Sequence, residues 1–337
     1  MINLISDTVT KPSKAMLATM LAAEVGDDVF GQDPTINELE SYAAALFGKE
    51  KALFCPSGTM TNQIAIKVHT QPLDEVICDY TSHVYQYETA GYAFHSGVSM
   101  NLLQGTNGKI TADQIDAAIK LDYDWLPVSR LVVIENTCNK GGGSIYRLSE
   151  VEPISALCKA RGLALHLDGA RLFNALVETG ESPKDWGAAF DSVSICLSKG
   201  LGAPVGSLLL GEASFIKQAR RLRKVMGGGM RQAGYLAAAG LYALKNNVER
   251  LAIDNERARK IGAILSTQPY VESVLPVQSN IVIFDLAGDT TAVDFLKQLE
   301  AKGILATAFG PQTIRLTFHL DISEEMMERV EEVLGDW

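Results

Sequence analysis

The sequence predicts an α/β fold: a large domain on a mostly parallel sheet flanked by helices, followed by a small α+β domain. Three observations carry this expectation. Between about residues 34 and 245, short apolar runs alternate with amphipathic stretches, the pattern of strands joined by crossover helices. Most of those runs are apolar throughout rather than alternating, as strands covered on both faces must be. Beyond Lys245 the style changes to a long charged helix followed by short strands and helices.

The strand candidates of the first part are KALFC (51–55), EVICD (75–79), RLVVIEN (130–136), LALHLD (163–168), SVSIC (192–196) and GSLLLG (206–211). Helical patterns lie between them, among them TINELESYAAALFG (35–48) and RLSEVEPISALCKARG (147–162). The second of these closes on Gly162, the residue type that most readily takes the left-handed backbone of a helix end. In the second part, NVERLAIDNERARKIGAIL (247–265) leads into VESVLP, NIVIFDL, a helix around 292–302, ILATAF, TIRLTFHL and a last helix at 322–334. Alternation in TIRLTFH puts Arg315, Thr317 and His319 on one face and Ile314, Leu316 and Phe318 on the other.

The 337 residues are 47% hydrophobic and 21% charged, enough for one large core or for a large domain and a smaller one. A net charge of −10 argues against a general binder of nucleic acid or anionic membrane. No apolar run approaches the roughly 20 residues of a membrane helix. The N-terminal MINLISDTVTKPSK has no basic stretch leading into an apolar one, so it does not read as a signal peptide. Five cysteines (Cys55, Cys78, Cys138, Cys158 and Cys196) are odd in number and scattered, with no C-x-x-C pair. That pattern fits reduced thiols in a cytoplasmic protein better than a disulfide framework or a zinc site.

Several stretches are suited to chemistry, and each has a plainer reading. In FCPSGTMTNQIAIKV (54–68), Ser57, Gly58 and Thr59 open a helix after a strand, where free N–H groups and hydroxyls hold phosphate; an ordinary N-cap turn has the same look. Neither a P-loop nor G-x-G-x-x-G is present. LHLDGARLF (165–173) ends a parallel strand in Asp168, where open α/β sheets bind ligands; Asp168 is equally a candidate N-cap for the next helix. His166 and Asp168 share a face, but two residues do not make a metal site, and no metal is expected. Lys199 follows the next strand, 31 residues on, so neighbouring strands deliver a carboxylate and an amine to one crevice. An amine desolvated there suits Schiff-base chemistry; a lysine that caps the strand and points to water is the alternative. KQARRLRKVMGGGMRQ (217–232) gathers Lys217, Arg220, Arg221, Arg223, Lys224 and Arg231 around Gly227–Gly229, either a solvated helix face or a loop that closes over an anion. His83, after EVICD, is a catalytic candidate or a loop residue.

Taken in this order, phosphate turn, histidine, aspartate and lysine match the pyridoxal 5′-phosphate (PLP) enzymes of fold type I. The stretches ISDTVTKPSKAM, GDDVFGQDPT, ENTCN, LHLDGARLFNA, SICLSKGLGAPVGSLL and GGGMRQAG resemble the bacterial low-specificity L-threonine aldolases, essentially from end to end. The resemblance implies a mostly parallel seven-stranded sheet, with an N-terminal arm (1–15), a large PLP-binding domain (16–245) and a small α+β domain (246–337). It implies Lys199 as the Schiff-base lysine, Asp168 as partner of the cofactor ring nitrogen, and Ser57, Gly58 and Thr59 around its phosphate. Lys224 and Arg231 would reach that phosphate from a partner subunit of a homotetramer. His83 would stack on the ring and act on the substrate hydroxyl, while Ser6, Arg171 and Arg315 would bind the substrate carboxylate, for which the guanidinium fork is suited. The reaction implied is cleavage of L-threonine or L-allo-threonine to glycine and acetaldehyde; a PLP-dependent β-eliminating lyase or aminotransferase is the alternative. Two departures from the family pattern, Cys138 in place of histidine and Phe30 in place of tyrosine, bear on the pocket for the β-carbon.

Overall fold

The computed structural model describes residues 1–337. Its strands are β1 (Ile2–Asn3), β2 (Lys51–Cys55), β3 (Asp74–Asp79), β4 (Ser99–Leu103), β5 (Val128–Glu135), β6 (Ala164–Gly169), β7 (Ser192–Cys196), β8 (Ser207–Gly211), β9 (Val271–Val274), β10 (Ile281–Leu286), β11 (Ile304–Leu305), β12 (Thr307–Ala308) and β13 (Thr313–Thr317). Seven of them form one sheet in the order β2-β8-β7-β6-β5-β3-β4. The pairings from β7 through to β4 are parallel, and only β8 runs against its neighbours. The six apolar runs supply six of these strands. The seventh, β4, is SMNLL at the sheet edge with an exposed or half-buried pattern, and its polar residues hide it from a reading that looks for buried strands.

Helices cover both faces because the central strands are apolar on both. β3, β7 and β8 are buried at every position. The main core runs from Met16 to Leu251 and includes Phe54, Val132, Leu167, Trp186 and Leu208. Helix Leu148–Arg161 ends with Gly162 at φ +68°, as its C-cap position requires.

A second sheet, antiparallel and in the order β12-β13-β10-β9, stands on its own core of Val282, Phe284, Phe295, Leu316, Phe318 and their neighbours. The segment ILATAF is not one strand but two. Its first half, β11, pairs in parallel with β1, and its second half, β12, joins β13. The chain start is thereby stitched to the C-terminal sheet, with Ile2 and Leu4 in that sheet's core. The alternation in TIRLTFH holds: Ile314, Leu316 and Phe318 enter this core. The other face meets the chain start, where Arg315 reaches the Ile5 carbonyl and His319 the Asn3 carbonyl. No helix is long and apolar enough to cross a membrane.

Candidate active site

Parallel strands end at a common edge, so the residues that end or follow β3, β5, β6 and β7 meet there. They are Glu135 and Asp168, in the last residues of β5 and β6, and His83 and Lys199, just beyond β3 and β7. Asp168 lies beside Glu135 on one side and Ser194 on the other. It is buried, and one of its oxygens accepts a 2.9 Å bond from Asn62. Lys199 is half-buried; its carbonyl is bound by Thr10 Oγ1 and by the Gly202 N–H, while its amine enters none of the chain's ion pairs. Gly202, at φ +80°, makes the tight turn that returns the chain to β8.

The turn after β2 adds an anion seat. Ser57 caps helix Gly58–His69 by accepting from the Met60 N–H at 3.2 Å. The N–H groups of Gly58 and Thr59 find no partner in the chain, as expected for the first turn of a helix. Glycine is needed at 58 because a Cβ there would lie 2.7 Å from the Cys196 sulfur.

His83 opens the short helix His83–Gln86. Its Nδ1 lies 2.9 Å from Glu88 Oε1, and Glu88 is an acceptor only, so Nδ1 donates. Burial pulls the His83 imidazolium down, but the bond to Glu88 and the charges of Asp168, Glu88 and Glu135 outweigh it and leave its pKa raised. Glu135 accepts from the backbone N–H groups of His83 and Asn139, each at 2.8 Å. Burial and the neighbouring Asp168 push its carboxyl up to about 7. His83, Glu88 and Asp168 bring ligand-type atoms within 4.8 Å of one another, yet each already has a protein partner.

The opposite wall is cationic. Arg171 is buried and binds Asp7 through Nε and Nη2, both at 2.7 Å. Asp7 is fully buried; burial raises its carboxyl, but Arg171 overrides this and takes it down to about 2. Arg315 is buried too, with Nη1 on Asn139 Oδ1 at 2.9 Å and Nη2 on the Ile5 carbonyl at 2.8 Å. It has no carboxylate partner, and its Nε has no acceptor at all. Burial and the nearby Arg171 lower its pKa to about 10. A buried cation without a counter-ion is costly, so the site as built calls for an anion. Ser6, half-buried, accepts from Thr8 and keeps its own hydroxyl hydrogen to donate.

The chain therefore brings together Ser6, His83, Asp168, Arg171, Lys199 and Arg315, with Ser57–Thr59 at the end of β2. Lys224 and Arg231 stand apart. Lys224 is exposed, and Arg231 pairs with Asp27 at 2.8 Å. The expectation that the basic run is one anion-closing loop does not hold for its helix: Arg223 is buried on Asp28 at 2.5 Å, and Arg220 bonds Asp28 and Glu40. These ion pairs fasten helix Ala213–Val225 to the turn Asp28–Phe30 and to Glu40 on helix Pro34–Leu46. Phe30 is 73% exposed in the single chain. Cys138 is buried with its sulfur on the Glu135 and Gly108 carbonyls. His166 is not a ligand candidate but a buried network residue, and burial takes its pKa down to about 3. Sequence reasoning assigned no role to Asp7, Asn62, Glu88 and Glu135, although Asp7 lies in ISDTVTKPSKAM and Glu135 opens ENTCN.

Residues 3–288 match the beta-eliminating lyase family. This chain belongs to that family. It is 42% identical over 331 residues to the low specificity L-threonine aldolase of Escherichia coli strain K12, covering 98% of this chain and 97% of that one. It is also 42% identical to the probable low-specificity L-threonine aldolase 2 of Arabidopsis thaliana, covering 98% and 95%. Bacterial and plant relatives thus match equally well, and the likeness is not specifically bacterial. The structure of Leishmania major threonine aldolase superposes with a TM-score of 0.87 at 24% identity, over 100% of this chain and 99% of that one. A structure of SPT with PLP superposes with a TM-score of 0.77 at 16% identity, over 99% and 86%. These superpositions identify the architecture as fold type I.

Two outcomes follow from this geometry. Gly58→Ala should lower the midpoint of thermal unfolding, and Cys196→Ala should restore it in the double variant; failure of the second change to rescue would show that the close approach to sulfur is not the cause. His69 and His166, with pKa values lowered by burial to about 4 and about 3, stay neutral in the fold while the unfolded chain takes up protons below about 6.5. Their contribution is complete above that pH and is lost as pH falls, at about 1.4 kcal/mol per unit and group. Urea unfolding between pH 6.5 and 4 should show this decline, shallower in His166→Gln.

Proposed function

We propose that this protein is a lyase that cleaves L-threonine, L-allo-threonine and related β-hydroxy-α-amino acids to glycine and an aldehyde, with PLP as cofactor. The observation that carries the reading is the division of charge in the crevice. Carboxylates Asp168, Glu88 and Glu135 surround one end, and Arg171 and Arg315, with only Asp7 between them, form the other. The residues fit PLP: a helix start with two unpartnered N–H groups, a buried carboxylate at a strand end and an amine outside every ion pair.

In this reading Lys199 holds the cofactor covalently, Asp168 accepts from its ring nitrogen, and Ser57, Gly58 and Thr59 receive the phosphate. Lys224 and Arg231 of a neighbouring copy in a homotetramer complete the phosphate seat; in support, the single chain leaves Lys224 exposed. Bound there, PLP supplies an electron sink for the Cα–Cβ bonding pair. The protein residues do the rest. Arg315, with Arg171 and the Ser6 hydroxyl, receives the substrate carboxylate and so fixes which bond at Cα is presented for cleavage. His83, its Nδ1–H held by Glu88, offers Nε2 to take the β-hydroxyl proton. Departure of the aldehyde leaves Cα to accept a proton in its place, giving glycine.

The purified protein should be yellow, borohydride should fix the cofactor to Lys199, and threonine should give acetaldehyde and glycine in equal amounts, without ammonia or a keto acid. Assay of the four threonine stereoisomers defines preference at both carbons. Ammonia or a keto acid as the main product would instead establish an eliminating lyase or an aminotransferase. His83→Asn should slow cleavage by about a hundredfold with cofactor binding retained; an unchanged rate would remove His83 from the proton transfer. Because the His83 pKa is raised, kcat should climb with pH through a value above the ordinary 6.5.

A further inference from the structure

Thr61, Asn62 and Gln63 are three consecutive polar residues, all buried, on the helix that opens at Gly58. An amphipathic helix against a sheet ordinarily turns apolar residues inward, and a buried amide is costly unless it is bonded. Asn62 meets that demand fully. Its Nδ2 lies 2.9 Å from Asp168 Oδ2 and 2.9 Å from Glu88 Oε1. Both neighbours are carboxylates, so Nδ2 and not Oδ1 must face them. Oδ1 then faces His166 Nε2 at 3.2 Å, and an amide oxygen only accepts, so His166 carries its proton on Nε2.

The rest follows without choice. His166 Nδ1 is the bare nitrogen and accepts from the Ser192 hydroxyl at 2.8 Å. Having given its only hydrogen, Ser192 Oγ accepts from His69 Nε2, also at 2.8 Å. His69, at the far end of the same helix, is itself fixed by stacking on Phe215 with ring centres 4.7 Å apart. Every donor along this line points the same way, from His69 toward the two carboxylates.

Resting on the reading of the site given above, we propose that Asn62 is a positioning residue, oriented by the one-way relay His69–Ser192–His166, that binds Asp168 and Glu88 with its two amide hydrogens. It thereby ties the carboxylate meant for the cofactor ring to the one that fixes His83 with Nε2 toward substrate. The groups facing His83 are Glu88, Asp168 and Glu135, with the Tyr87 ring at 5.5 Å. Gln63 gives Glu88 a further bond at 2.5 Å. Glu88 itself is followed by Thr89 and Ala90 at φ +54° and +53°. Two such residues in succession are costly for side chains with a Cβ and persist where surrounding contacts impose them.

The test begins with the unmodified protein, freed of cofactor and labelled with ¹⁵N in its five histidines. His166 should be neutral and protonated on Nε2 from about pH 5 to about pH 9, and neutral His83 protonated on Nδ1. Asn62→Leu removes both donors at similar size. Left without them, Glu88 is no longer held in place against His83, whose raised pKa rests on that bond, and the His83 pKa should fall by about one unit, a tenfold change in its protonation equilibrium. In the loaded enzyme, turnover of threonine should fall about tenfold or more with KM nearly unchanged. His166→Gln, which can donate to Asn62 and accept from Ser192, should keep near-normal behaviour, whereas His166→Leu should act like Asn62→Leu. An Nδ1-protonated His166, or an Asn62→Leu protein with the normal His83 titration and turnover, would overturn the proposal. Absence of threonine cleavage by the unmodified protein would overturn the proposed function alone, since the histidine spectra are read without cofactor or substrate.

Discussion

Asp7 and Arg171 are 164 residues apart in sequence, and two parallel 2.7 Å bonds join them where both are buried. Such a pair gains little over apolar packing, but breaking it leaves a bare charge in the interior. It therefore acts as a constraint on arrangement. The chain start is already stitched to the C-terminal sheet through β1 and β11. Closing Asp7 onto Arg171, just past the end of β6, brings that sheet against the edge where β3, β5, β6 and β7 end. Arg315, on β13, reaches the crevice because of this closure, and its bond to the Ile5 carbonyl ties it to the same arm. Asn280 adds a bond to Asp7 from the start of β10.

The same pair sets the electrostatics. Of the two buried guanidiniums only Arg171 is bonded to the Asp7 carboxylate, leaving Arg315 with neutral acceptors and the face of Phe309, its Cζ 4.5 Å from the ring centre. At the other end, acidic groups outnumber the single histidine. A ligand with a carboxylate at one end and a cationic ring nitrogen at the other would be complementary to both, as an amino acid substrate together with PLP would be on the proposed function. Preorganised charge of this kind is strongest in a site closed to water, and here the protein's own packing holds it in place.

Much of this was legible in the sequence. The apolar runs gave six strands of the large sheet, because a strand buried on both faces shows no alternation to confuse. Asp168 and Lys199 stood out because charged residues at the ends of such runs need a reason. Arg315 could be assigned to one face of its strand, and that face does meet the arm. What was hidden depends on contacts distant in the chain. Asp7 is one acid among forty acidic residues until Arg171 is set against it. Glu88 and Asn62 have no motif, and their roles arise when β3, β6 and the Gly58 helix converge. The basic run at 217–232 misleads for the same reason: Arg223 and Arg220 are matched by Asp28 and Glu40, which no local pattern reveals. β4 escaped because an edge strand is half-wet and reads as loop.

On the proposed function, Arg315 is kept as a buried cation for the substrate's carboxylate, which the protein itself does not provide. Arg315→Met measures it, by thermal unfolding of the cofactor-free protein alongside KM for threonine in the loaded enzyme. Thermal stability should be equal or higher, since an uncompensated charge is removed from the interior, and KM should be at least about tenfold higher. A marked fall in stability with an unchanged KM would contradict it, and would make Arg315 a structural brace for the arm instead of the seat of the substrate.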